Sequence, residues 1–82
     1  MNPYLKALEA DKNGNWDEAH DLVQDLGTPD AAWIHAYLHR KEGDHMNARY
    51  WYNRAGKAFY EGSLEDEWTD LWKYFSSPSR VY

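Results

Sequence analysis

His35 and His39 stand four residues apart, and Glu42 follows three further on. At about 100° per residue the three side chains fall within about 60° of arc on one helix, so one face carries two imidazoles and a carboxylate. His45 lies just past the next turn, and His20 can approach from the preceding helix, which gives enough nitrogen and oxygen donors for zinc, nickel or iron. The candidate ligand set is therefore His35, His39, Glu42 and His45; the sequence calls for no cofactor, and a metal ion is the one these residues could hold. The metalloprotease signature is absent, because Ala36 stands where the general-base glutamate would follow the first histidine. The competing reading is a pair of partly buried histidines hydrogen-bonded to tyrosines or carboxylates.

A second cluster, Arg49-Tyr50-Trp51-Tyr52-Asn53-Arg54, interleaves guanidinium groups with rings, as stacking on single-stranded bases would require. Helical phase opposes that use. Trp51 and Tyr52 fall on an apolar stripe, which leaves only Tyr50 beside Arg49, Asn53 and Lys57 on the opposite face. Residues 31–57 hold five Lys or Arg against two acids, yet the whole chain carries a net charge of -5, which argues against nucleic acid and anionic membrane as partners. Arg40, Arg49 and Arg54 are instead candidates for a small carboxylate or phosphate, or for pairing with the acids of the last helix, Glu61, Glu65, Asp66, Glu67 and Asp70. No nucleophile is set up for catalysis: Ser63 is placed to cap a helix, Ser76, Ser77 and Ser79 fall near the end of the chain, and no glycine-rich phosphate loop is present. Binding is favoured over enzymatic chemistry.

These side chains must be held by a small core. Leu, Ile, Val and Phe supply only 12 of 82 residues and mean hydropathy is -0.98, so five Trp and seven Tyr must provide much of the buried area. Five residues in all are Val, Ile or Thr, too few for a sheet, whereas Ala, Leu, Glu, Lys and Arg fill the stretches between glycines. The class is all-α, with about five short helices. Asn2 and Pro3 open the first, which stops at Gly14. Asn15, with Glu18 as a capping box, opens the second, whose Ala19, Leu22, Val23 and Leu26 face the core until Gly27. Thr28 and Pro29 open a third, apolar nearly all round and therefore central, which runs to about Glu42. Asp44 caps a fourth that closes at Gly62, with Gly56 as an interior bend point. Ser63 and Asp66 cap a fifth bearing Leu64, Trp68, Leu71, Trp72 and Phe75, stopped by Ser76, Ser77 and Pro78. Residues 1–78 form one helical domain and 79–82 a short tail.

An internal repeat is visible. Gly14-Asn15-Trp16-Asp17-Glu18-Ala19 recurs as Gly43-Asp44-His45-Met46-Asn47-Ala48, 29 residues later. In each copy a glycine ends one helix, the next residue caps its successor, and an alanine lets that successor pack closely. Over residues 3–59 the chain resembles tetratricopeptide-type repeats, whose helix-turn-helix units carry such a turn and recur every ~34 residues. That resemblance implies helical hairpins and a role in binding proteins, with His35 and His39 where the family tends to hold Leu and an aromatic. The segment HAYLHRKEGDHMNARYWYNRAGK also resembles one in small helical proteins of bacteria and fungi, a likeness that carries no activity.

The leading expectation is a tetratricopeptide-like module that binds a protein, a peptide or a second copy of itself. Trp16, Trp33, Tyr37, Trp68 and Trp72 are its candidate surface, since Trp and Tyr dominate interaction hot spots. The alternative is a metal- or small-anion-binding protein centred on His35, His39 and Glu42. No cysteine, no leader and no apolar run beyond Ala31 to Ile34 point to a cytoplasmic chain without a membrane segment.

Overall fold

In the computed structural model, which describes residues 2–77, every element is a helix. They are α1 (Pro3–Lys12), α2 (Trp16–Gln24), α3 (Pro29–Lys41), α4 (His45–Ala55) and α5 (Leu64–Ser76). The caps follow from side-chain oxygens placed to satisfy orphan N–H groups. Asn2, Thr28, Asp44 and Ser63 each accept from the amide three residues on, and Pro occupies the first turn of α1 and α3. Asn15 is the exception: its side chain makes no cap bond, so the expected capping box with Glu18 does not form.

The two repeated turns have the same backbone construction. Gly14 and Gly43 both sit at φ 86°, a left-handed conformation that a Cβ would strain. The amides of Asn15 and Asp44 each reach back at 2.9 Å to the carbonyls of Ala10 and His39, while Gly14 and Gly43 bond Asp11 and Arg40. Each is a six-to-one closure that satisfies carbonyls left open at a helix end. The alanines five residues after each glycine, Ala19 and Ala48, are fully buried.

α3 is the central element, with every residue from Ala31 to His39 buried. α2 and α4 pack on it, α1 packs on α2, and α5 folds back onto α1 and α3. Leu8, Val23, Ile34, Leu38, Ala48, Tyr52, Leu71 and Phe75 share one core. α4 is shorter than the glycine spacing predicts. Gly56 takes φ 72° and its neighbour Lys57 bonds back to the Tyr52 carbonyl, so the helix ends there instead of bending and continuing to Gly62. Phe59 still packs against the core, from an irregular segment. The predicted tail 79–82 and the stop at Pro78 lie outside the described residues.

Two buried carboxylates tie the layers together. Glu67, with no exposed surface, accepts from Trp33 Nε1 (3.1 Å), Tyr52 Oη (2.6 Å) and Arg40 Nε (3.1 Å), joining α5 to α3 and α4. Asp11 accepts from Tyr37 Oη (2.8 Å) and Lys41 Nζ (2.9 Å), joining α1 to α3. Burial first, then the hydrogen bond to a carboxylate, pushes the Tyr37 and Tyr52 phenols well above their ordinary range, so both remain donors. The acids of α5 are thus not all on its solvated side.

Candidate metal centre

α3 places His35 and His39 one turn apart, and α2 turns His20 toward them. One ligand nitrogen from each of the three rings lies within 4.8 Å of the others. His20 Nε2 and His35 Nε2 are 2.9 Å apart, a separation at which one nitrogen donates its proton and the other offers a lone pair. The rings of His35 and His39 stack at 4.9 Å, and His20 meets both edge-on, at 4.6 and 5.4 Å.

Indoles wall the cluster on two sides. Trp51 of α4 lies on His35 with ring centroids 3.9 Å apart, and Trp16 lies on His20 at 5.0 Å. Trp16 is itself fixed, its Nε1 donating to the Leu38 carbonyl at 2.8 Å. His35 and His39 are 5% and 7% exposed, whereas His20 is half-buried and gives the cluster its way to water. Burial, followed by the nearby His20 and His39, pushes the His35 imidazole down to about 4, so it is neutral and has a lone pair to give at neutral pH.

Glu42 stands behind His39. Its Oε1 is 2.6 Å from His39 Nδ1, so Nδ1–H donates to the carboxylate and Nε2 keeps the lone pair. A carboxylate on the outer nitrogen of a histidine is how metal-binding imidazoles are commonly oriented. The chain matches no family model, no curated protein and no solved structure at significance. What the cluster can do follows from its own chemistry.

The structure brings together His35, His39 and Glu42 of the expected set and replaces His45 by His20. His45 is exposed at the start of α4 and meets the edge of Phe59 at 5.9 Å, because the turn at Gly43 carries it past the cluster. The approach of His20 from the preceding helix, expected from the sequence, is the one that the structure makes; Trp16 and His20, four residues apart, fall on one face of α2.

The candidate arginines separate. Arg40 is engaged by Glu67 and by the Gly62 carbonyl at 2.8 Å, so it acts as a strut between α3 and α5. Arg49 lies over Phe59, and Arg54 over Tyr50 and Trp51. Among the expected surface rings, Trp33 and Tyr37 are interior, 7% and 2% exposed, because their polar tips have buried carboxylates to bond; Trp16, Trp68 and Trp72 are half-buried. Among the described residues, the large apolar side chains that face solvent are Met46, Tyr50 and Tyr74.

A cavity of about 550 Å³ lies away from the histidines, between α1, α3 and α5, with Lys12, Lys41 and Trp68 in its wall. Its buried acid, Asp11, is already satisfied by Tyr37 and Lys41. No helix among the described residues is long and apolar enough to cross a membrane.

Proposed function

We propose that the protein binds one divalent transition-metal ion through His20, His35 and His39, with Glu42 orienting His39. The observation that carries this reading is the convergence of the three imidazole nitrogens within 4.8 Å, one of them backed by a carboxylate. An ion at about 2.0–2.1 Å from each nitrogen would replace the proton now shared by His20 and His35 and set the three nitrogens roughly 3.3 Å apart, the His20–His35 pair opening slightly from 2.9 Å. Half-buried His20 is the ring free to make that adjustment. An all-imidazole set favours zinc, nickel or copper over magnesium and calcium, which prefer oxygen. Titration of the metal-stripped protein with zinc, read by calorimetry, is expected to give one site, lost or weakened at least tenfold in His35→Ala and His39→Ala. Equal binding by all three proteins would reject the reading.

A second reading is favoured by a separate observation, the identical closure of the turns at Gly14 and Gly43. It supports a tetratricopeptide-like module that binds a protein, a peptide or its own copy, with Trp16, Trp68 and Trp72 as the half-buried rings available to it. Sedimentation of the purified chain as a strict monomer at all concentrations would remove the self-association form of that reading.

A further inference from the structure

The three histidines do not all have a partner for their outer nitrogen. Glu42 serves His39 Nδ1. His35 uses Nε2 toward His20, and its Nδ1 bonds nothing among the described residues. Yet no buried polar side-chain atom is left without a partner among them, so this Nδ1 retains access to solvent. His35 lines a cavity of about 220 Å³ together with Val23, Gln24, Thr28, Trp51 and Arg54.

Arg54 is the charged group of that cavity. Its guanidinium rests over the Trp51 ring at 5.5 Å and bonds the Tyr50 hydroxyl at 3.2 Å, and no carboxylate lies within ion-pair distance of it among the described residues. Arg54, which has N–H groups beyond the one bonded to Tyr50, and His35, whose Nδ1 must carry the ring proton once Nε2 holds a metal, both line this pocket beside Trp51. A cavity of this size has room for an oxyanion of a few heavy atoms together with water.

We propose that this cavity holds a small oxyanion, a carboxylate or a tetrahedral phosphate- or sulfate-like group, between Arg54 and His35 Nδ1–H. The anion does for His35 what Glu42 does for His39: it orients the ring, raises the basicity of Nε2 and strengthens the bond to the metal. The inference rests on the metal reading above and adds a second ligand whose binding is coupled to the first. By linkage, an anion that tightens the metal is itself tightened by it to the same degree. Guanidinium suits both anion shapes, through paired N–H donors.

The test is zinc affinity of the full chain measured in chloride, acetate and sulfate at equal ionic strength, for wild type, Arg54→Gln and Arg49→Gln. Arg54 is exposed, so its replacement leaves the fold in place; Arg49 lies over Phe59, away from the cavity, and serves as the control. Wild type and Arg49→Gln are expected to bind zinc up to about tenfold more tightly in acetate or sulfate than in chloride. Arg54→Gln should bind zinc with less than a twofold difference among the buffers. Acetate and sulfate are compared separately, so the anion giving the larger gain identifies the preferred shape. Equal zinc affinity in all buffers, or the same gain in Arg54→Gln, would overturn the anion site and leave the metal reading intact. No zinc binding in any buffer would overturn the metal reading and the coupling with it.

Discussion

Trp51 lies nearly flat on His35, their centroids 3.9 Å apart and their planes inclined by 12°. Trp51 comes from α4 and His35 from α3, so the packing of one helix on another sets the plane of a candidate ligand. Trp51→Leu removes the ring that holds the imidazole while keeping an apolar side chain. We expect zinc affinity to fall about tenfold, with a stability loss of about 1 to 2 kcal/mol from the lost ring pair and area. Calorimetry and urea denaturation measure the two. An unchanged affinity with the same loss of stability would mean that Trp51 only packs.

Acid should weaken the metal-free fold through His35. In the folded chain this imidazole stays neutral down to about pH 4, held there by burial and by His20 and His39, while in the unfolded chain it takes a proton near its ordinary 6.5. Between those values the unfolded state binds more protons, so stability is full above about pH 6.5 and declines as the pH falls toward 4. Half-buried His20 lets water screen part of the effect, so about 1 to 2 kcal/mol is expected. Urea midpoints measured across this range in the presence of a chelator should show the decline in wild type and a flatter profile in His35→Gln. A wild-type profile level from pH 7 to pH 4 would count against it.

Glu67 holds three donors without any contact with water. Replacement by Ala leaves the Arg40 guanidinium without its carboxylate and the Trp33 and Tyr52 tips without an acceptor. A loss of about 3 to 5 kcal/mol is expected, read as a lowered urea midpoint. Glu61→Ala, on the exposed side of the same acidic region, should change stability by less than about 0.5 kcal/mol.

Gly14→Ala and Gly43→Ala should cost nearly the same. Both glycines have φ 86°, and a Cβ at either site would meet no other atom within 4 Å, so only backbone strain is felt. About 1 to 2 kcal/mol is expected for each. A large difference between the two would show that the turns, alike in bonding, do not carry equal strain.

Much of the scaffold was legible in residue types. Pro3, Pro29 and the caps Asn2, Thr28, Asp44 and Ser63 mark helix starts through local chemistry, because a side-chain oxygen meets an amide only three residues away. The nearly complete apolar circumference of Ala31 to Leu38 marks α3 as central, and its burial agrees. Gly56 was harder to read: a glycine within a periodic stretch fits both a bend and a stop, and only the left-handed backbone there distinguishes them. The pairing of Arg40 with Glu67 is one that the charges allow, and Glu67 stands three residues after Leu64 and four before Leu71, on the same stripe, which is why it is the buried acid of α5.

By itself, then, the sequence determined an all-helical chain, its glycine stops and the shared face of His35, His39 and Glu42, since all of these depend on contacts within a turn or two of helix. Tertiary structure alone decided that His20 and not His45 completes the cluster, that Trp33 and Tyr37 turn inward to carboxylates, and that Arg40 is a strut to Glu67 while Arg54 meets no carboxylate among the described residues. Those outcomes depend on how α2, α4 and α5 seat against α3. The seating is set by the joint packing of side chains distant in the chain, which no local spacing encodes.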